Sequence, residues 1–167
     1  GREWTLGIST TTMPVYKLIA DFKGKKSGVS APGSSTSMRA TLVLSRCGLS
    51  PADVSFIGVG TAAGALVALR SGQIDAMSNT DPVMTMLQRS GDLKIVTDTR
   101  VVADADRVFG GPMPAGCLYA PQTLIDRNPN TIQAMTNTLV RADRWIQAEG
   151  PAHNVKAVTA TSQIGDR

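Results

Sequence analysis

The sequence predicts an α/β fold in which a parallel sheet is connected by crossover helices. Three turns support this prediction, because each stands between an apolar, strand-like run and a helix-like run. They are the segments APGSST at 31–36, GVGTA at 58–62 and SNTDP at 78–82. Ligands bind outside the carboxyl ends of the strands in such sheets. Since all three turns would lie at that edge, the chain is expected to be built around a binding cleft.

The strands are predicted from short apolar runs bounded by turn residues. They fall at residues 4–9, 26–30, 54–58, 74–78, 93–97 and 116–120. Residues 101–114 are polar and rich in Gly and Pro, so a loop or a crossing between two lobes is expected there.

The helices are predicted from apolar residues at helical spacing and from capping residues. They fall at residues 34–47, 61–70, 82–89, 123–127 and 128 to about 148. In the first, Met38, Leu42 and Val43 share a face and Gly48 is the stop. Asp81 suits an N-cap and Pro82 a first helical position. The last carries an apolar stripe, Ile132, Met135, Leu139, Ala142 and Ile146, and ends at Gly150.

Composition excludes several classes of function. The 167 residues are 42% hydrophobic, which allows one domain or one and a half small lobes. The sequence contains no run of 18 apolar residues, so no membrane span is predicted, and no signal peptide is visible. The chain begins at Gly1, so a processed or trimmed product is expected. The net charge of +4 is scattered and only seven residues are aromatic, which argues against nucleic acid and suits a small anionic ligand.

No catalytic, metal or cofactor site is predicted. Cys47 and Cys117 are too few for a disulfide framework or a metal site, and His153 has no ligand-type neighbours. There is no nucleophile elbow and no recognisable carboxylate pair. The protein is therefore expected to bind rather than to catalyse.

The turn Gly33-Ser34-Ser35-Thr36 is the first candidate for a ligand site. The first amides of a helix lack partners and carry partial positive charge, so with neighbouring hydroxyls they can hold an anion. The alternative is ordinary N-capping, which uses the same residue types.

The segment 58–64, GVGTAAG, supports a competing hypothesis of a nucleotide-binding Rossmann-like enzyme. This segment resembles the dinucleotide-binding motif G-x-G-x-x-G, but it has one residue too many before its third glycine. Asp81 lies about 20 residues further on, where an acid that binds ribose is expected. Against this hypothesis, Asp81 precedes a proline and fits a helix cap. The strand order is expected to separate the two hypotheses.

From Lys23 to about Pro151 the chain resembles the solute-binding proteins of bacterial ABC importers, in the branch for nitrate, sulfonate, taurine and thiamine-pyrimidine precursors. The segments that carry the resemblance are DFKGKKSGVSAPGSSTSM, GVGTAAGALVALRSGQIDAM, DPVMTMLQ and NPNTIQAMTNTLVRADRWI. Ser27 departs from the family, because a buried aliphatic residue is usual there. The chain shows no match to the Cys cluster and active-site His of the related thiamine-pyrimidine synthases, so that activity is not implied.

The resemblance implies a two-lobed periplasmic binding protein of the second type, without enzymatic activity or cofactor. Residues 1–21 would be a first-lobe or hinge strand, 22–112 a second, inserted lobe, and 113–167 a truncated return into the first lobe. A small anionic or polar ligand would lie between the lobes, and the partners would be importer membrane subunits, with no nucleic acid. The implied location is periplasmic or extracytoplasmic. The implied ligand-binding residues are Gly33, Ser34, Ser35, Thr36, Gly60, Thr61, Asn79 and Asp81.

Overall fold

The computed structural model describes residues 4–15, 19–111, 113 and 116–157, with the backbone alone at Trp4 and at 151–157. The chain divides into two compact units, Gly1–Gly116 and Cys117–Arg167. Each unit is described by itself below.

The first unit contains a five-stranded sheet. Its strands are β1 (Trp4–Ser9), β2 (Lys26–Val29), β3 (Ser55–Gly58), β4 (Ala76–Thr80) and β5 (Leu93–Asp98). The order across the sheet is β3-β2-β4-β1-β5. β2 is parallel to β3 and β4, whereas β1 is antiparallel to its neighbours β4 and β5. The α/β fold class with crossover helices is thereby confirmed, with one antiparallel strand inside the sheet.

The helices of the first unit are α1 (Ser35–Arg46), α2 (Ala63–Arg70), α3 (Val83–Arg89) and α4 (Val102–Phe109), with short 3₁₀ turns at Ile19–Phe22 and Pro51–Asp53. The second unit contains α5 (Gln122–Arg127) and α6 (Pro129–Ala157). α6 is interrupted at Gly150, whose backbone is not helical, so the predicted stop at this glycine appears as a break within a longer helix.

The core of the first unit lies on both faces of the sheet. Side chains alternate along a strand, so Ala76 packs into one cluster and Met77 into the other. The first cluster contains Leu44 of α1 and Val108 of α4, and the second is built from α2 and α3. Gly28 belongs to a crowded part of the second face, since a side chain there would collide with Ile74. Two helical layers therefore hold the sheet, and the ends of its strands remain open.

Two predicted elements are wrong. The segment 101–114, expected to be a loop or a crossing between two lobes, is not a loop throughout. It contains α4, because Val108 is buried at one face and Gly110 ends the helix in the left-handed conformation. The crossing between lobes stays a prediction. Residues 116–120, expected to form a strand, have neither helix nor strand, and Tyr119 is 87% exposed. An apolar run becomes a strand only where a neighbouring strand offers hydrogen bonds.

The second unit leaves its apolar stripe open. On α6, Met135, Leu139 and Ile146 are each about half exposed, although their spacing is that of a helix face that packs. An apolar groove of about 570 Å³ runs along α5 and α6 beside Leu118, Leu124 and Leu139. The predicted stripe exists, but the described residues of this unit do not bury it.

Candidate functional site at the carboxyl edge of the sheet

The loops after β2, β3 and β4 leave the sheet at one edge. In the register, Val29 lies opposite both Gly58 and Ser78, so β2 and β3 end together and β4 continues two residues further. The chain passes from β2 to β3 on one side and returns across β2 to reach β4 on the other. β2 and β4 therefore flank a topological switch point, the place where open α/β sheets bind ligands. The three predicted turns converge there.

A cluster of hydroxyl groups closes the turn between β2 and α1. The Oγ atoms of Ser30 and Ser34 are 3.0 Å apart, and Thr36 Oγ1 lies 2.9 Å from the first and 2.8 Å from the second. The Ser30 amide also donates to Thr36 Oγ1 at 3.0 Å. Thr36 is buried, whereas Ser34 is partly exposed. These hydroxyls first stabilise the turn, and Gly33, with φ of 74°, allows its reversal.

The start of α1 keeps two amides open. Ser34 is the N-cap, and its side chain accepts from the Ser37 amide at 3.4 Å. The first helical bond runs from the Met38 amide to the Ser34 carbonyl. Among the described residues, the amides of Ser35 and Thr36 have no acceptor, and the exposed Ser35 hydroxyl has no partner. Capping and anion binding are thus compatible here, because Ser34 performs the first and leaves Ser35 available for the second.

The second turn contributes backbone rather than side chains. Gly60 has φ of 71°, and its amide donates to the Ser30 carbonyl at 3.1 Å, which ties the second turn to the first. α2 begins at Ala63 without a side-chain cap, and Thr61 is exposed beside that start. A second helix N-terminus therefore opens at the same edge.

Asn79 connects β4 to the second turn. It is fully buried, and its Nδ2 donates to the Gly60 carbonyl at 2.8 Å while its Oδ1 accepts from the Thr80 amide at 2.9 Å. β2 lies between β3 and β4, so this side chain reaches past the end of β2. Its amide group is fully engaged within the protein.

Asp81 is occupied in a different way. Its Oδ1 accepts from the amide and the hydroxyl of Thr85, at 2.9 and 2.7 Å, and its carboxylate pairs with Arg100 at 3.1 Å. Arg100 also pairs with Asp98 at 2.7 Å. Hydrogen bonding from Arg100 holds the pKa of Asp98 below its ordinary value, and hydrogen bonding to Asp98 raises the pKa of Arg100.

Sequence reasoning missed three residues of this edge: Ser30, Ser78 and Arg100. Ser78 is fully buried and its hydroxyl donates to the Thr36 carbonyl at 2.8 Å, so it fixes α1 to β4. A usable signal existed for Ser30, because it is the last residue of a predicted strand, directly before the first turn. Arg100 gave no comparable signal, since its partners Asp81 and Thr85 are far away in sequence.

The geometry disfavours a dinucleotide site. The glycine turn follows β3, which is an edge strand, whereas the dinucleotide motif follows a strand at the switch point. Asp81 follows β4, which is not a neighbour of β3, and its carboxylate is bonded to Thr85 and Arg100. The acid is therefore neither placed nor free to bind a ribose at that turn.

Two negative findings concern the part of the chain that the structure describes. No helix there is both long and apolar enough to cross a bilayer. No group of three or more His, Cys, Asp or Glu residues there is arranged to hold a metal ion.

The mixed five-stranded sheet with crossover helices has the fold of type II periplasmic binding proteins, and the N-termini of α1 and α2 lie at one edge of that sheet. The sequence profile of the NMT1-like family matches residues 10–162, and the chain belongs to this family. No curated protein matches it significantly.

Solved structures agree with this assignment. A protein from Bordetella bronchiseptica RB50 is 56% identical, with a TM-score of 0.89 over 99% of this chain and 53% of that protein. The periplasmic aliphatic sulphonate binding protein SsuA from Escherichia coli is 23% identical, with a TM-score of 0.69 over 89% of this chain and 44% of that one. The periplasmic sulfonate-binding protein SsuA from Methylobacillus flagellatus KT is 22% identical, with a TM-score of 0.63 over 86% and 40%.

These comparisons confirm the resemblance to solute-binding proteins of ABC importers. The SsuA structures are 22–23% identical to this chain, so their similarity to it is one of fold. The chain spans about half the length of the Bordetella protein.

Proposed function

We propose that this chain is the ligand-binding part of a solute-binding protein that serves an ABC importer. The observation that carries the proposal is the pair of open amides at Ser35 and Thr36, placed at the switch point of the sheet. The protein captures a small anionic or polar solute there and performs no chemistry. Residues 22–112 then belong to an inserted lobe and 113–167 to a return segment, while the strand within residues 1–21 completes the sheet of the inserted lobe between β4 and β5 instead of forming a separate hinge.

Capture follows from the charge of the helix end. Two amides without acceptors, the exposed Ser35 hydroxyl and the positive end of the α1 dipole lie together at one helix end. Each hydrogen bond to a charged group contributes about 1.5–3 kcal/mol, and the dipole adds about 0.3–1 kcal/mol. Closure of a second lobe over this edge would remove water and strengthen these bonds. Gly60 and Thr61 supply the adjacent wall, and Asn79 sets its distance from the first turn.

A sulfonate is the first ligand to test. The names of the two SsuA proteins refer to sulfonates, and a sulfonate presents three acceptor oxygens to amide and hydroxyl donors. The protein would act in the periplasm or another extracytoplasmic space and deliver its ligand to the membrane subunits of the importer. Neither a cofactor nor nucleic acid has a part in this mechanism.

The test is calorimetric titration of the full-length protein from its host with ethanesulfonate, taurine, nitrate and NADH. Saturable binding of one of the three oxyanion compounds and no binding of NADH would support the proposal. Native mass spectrometry of the same sample would identify a ligand that is purified together with the protein. Binding of NADH, with turnover abolished by changes at Gly58 or Gly60, would replace the proposal with the nucleotide-enzyme hypothesis.

A further inference from the structure

The guanidinium of Arg100 is saturated with acceptors. Nε and Nη2 donate to the two carboxylate oxygens of Asp98, at 2.8 and 2.7 Å. Nη1 donates to Asp81 at 3.1 Å and to the Thr85 hydroxyl at 2.8 Å, and Nη2 also donates to Gln88 at 3.1 Å. A guanidinium has five N–H donors, so every donor has a partner. The side chain is 20% exposed and has no donor left for a ligand.

The partners of Arg100 come from two separate parts of the sheet. Asp98 ends β5, where it lies opposite Thr5 of β1, whereas Asp81 follows β4 and Thr85 lies in α3. β1 stands between β4 and β5. The contacts of Arg100 therefore pass over the amino end of β1 and join two strands that do not pair with each other.

The same contacts fix the turn that follows β4. Asp81 holds the first turn of α3 through the Thr85 amide and hydroxyl, and Arg100 holds Asp81. Asn79, which ties β4 to Gly60, lies two residues earlier in this segment. A shift of the turn would thus move Asn79 and change the width of the crevice between the first and second turns.

We propose that Arg100 and Asp81 form a positioning pair, which fixes the turn between β4 and α3 and touches no ligand. The inference rests on the proposed function and revises one expectation within it, because Asp81 affects the ligand through Arg100 rather than by direct contact. A rigid wall lowers the cost of ordering when a ligand binds, so loss of the pair weakens binding although no ligand contact is removed.

The first experiment is a double-mutant cycle on affinity for ethanesulfonate, measured by calorimetry on the full-length protein. The variants are Asp81→Asn, Arg100→Gln and the double variant. Each single change is expected to weaken binding by about tenfold, and the double variant by no more than Arg100→Gln alone. Additive losses would show that Asp81 contacts the ligand directly, and would overturn the proposal.

Two further variants separate positioning from charge. Arg100→Lys keeps the charge but cannot make the forked contacts, so it is not expected to restore affinity. Arg70→Gln is the matched control, because Arg70 pairs with Asp92 at 2.8 Å just before β5, at the opposite end of that strand. It should leave affinity unchanged. Full rescue by lysine, or an equal loss with Arg70→Gln, would contradict a specific positioning role.

Hydrogen exchange gives a test that needs no ligand. The Thr85 amide donates to Asp81, so Arg100→Gln should speed its exchange by about tenfold, while amides of β2 and β3 keep their rates. Unchanged exchange at Thr85 would overturn the proposal even where affinity falls. If the wild-type protein binds no ethanesulfonate, the proposed ligand class fails, and the exchange result alone still decides whether the pair fixes this turn.

Discussion

Two clusters at the carboxyl edge of the sheet differ in whether their hydrogen-bonding groups have partners. At the start of α1, Ser35 and Thr36 keep amides without acceptors among the described residues. At the ends of β4 and β5, Arg100 is surrounded by two carboxylates and has no donor left. We call these the open end and the closed end. The difference shows that a polar residue at a sheet edge is a ligand-binding candidate only where its hydrogen-bonding capacity is unused.

The largest effect is expected at the open end. Ser35→Glu places a negative charge where the ligand's charge is proposed to sit, so affinity for ethanesulfonate should fall by about 100-fold or more. Thermal stability should hold, because Glu near a helix N-terminus is favourable. Calorimetry and a melting curve on the same sample measure both. Met38→Glu is the control, since Met38 is exposed in the same helix and its amide is already bonded to Ser34. Equal losses in both variants would remove the open end from the site.

The hydrogen bonds of Asn79, which tie β4 to the second turn, are expected to matter for stability. Asn79→Ala removes a fully buried side chain and leaves the Gly60 carbonyl and the Thr80 amide, which are themselves less buried, without their partner. The free energy of unfolding should fall by about 2–4 kcal/mol, as measured by urea denaturation. Asn128→Ala, at an exposed helix end, is the control and should lower the free energy of unfolding by well under half as much. A loss at Asn79 no larger than at Asn128 would show that the hydrogen bonds from Asn79 to the second turn do not stabilise the fold.

The closed end should make stability depend on pH. The folded-state pKa of Asp98 lies below its unfolded value of about 3.9. The ionised carboxylate therefore stabilises the fold above that value, and the contribution is lost as pH falls through the lowered pKa. The free energy of unfolding of the wild-type protein should exceed that of the Asp98→Asn variant by about 1–2 kcal/mol at pH 7. This difference should shrink toward pH 3.

The measurement for this prediction is urea denaturation of both proteins at several pH values. Asp106→Asn, on the exposed side of α4, is the control for loss of one surface carboxylate and should give a smaller difference in the free energy of unfolding at pH 7. A gap between wild type and Asp98→Asn that stays constant down to pH 3 would contradict the assigned role of Asp98. The open end has no titratable side chain among Ser30, Ser34, Ser35 and Thr36, so it adds no pH dependence of this kind.

The smallest effect compares two buried serines in neighbouring strands. Both Ser27 and Ser78 are fully buried, but only Ser78 has a partner for its hydroxyl, the Thr36 carbonyl. Ser27→Ala should raise the free energy of unfolding by up to about 1 kcal/mol, whereas Ser78→Ala should lower it by about 1 kcal/mol. Parallel denaturation curves measure both. The same sign for both changes would show that the hydroxyl contacts do not decide stability here.

Most of the first unit could be predicted from sequence because its elements are specified locally. Ser34 as a cap, Gly48 after α1 and the apolar strand cores are features of short segments, and the predicted bounds fall within a few residues of those observed. The failures lie where a local pattern needs a distant partner. Tyr119 lies in a strand-like run that pairs with no described strand. Val108 lies in a polar stretch that forms a helix because this side chain packs into the core.

The sequence alone determined that this protein has crossover helices whose N-termini meet at one edge of a sheet, because turns, caps and apolar periodicity are written within a few residues of one another. The tertiary structure alone decided which polar groups at that edge remain unused. Ser35 stayed open, while Asn79 and Asp81 were occupied by Gly60, Thr85 and Arg100. The contact between Asp81 and Thr85 is local, but Asn79 meets Gly60 at 2.8 Å and Asp81 meets Arg100 at 3.1 Å. Each of these two contacts joins residues 19 apart in the chain, so only the folded arrangement of strands makes it.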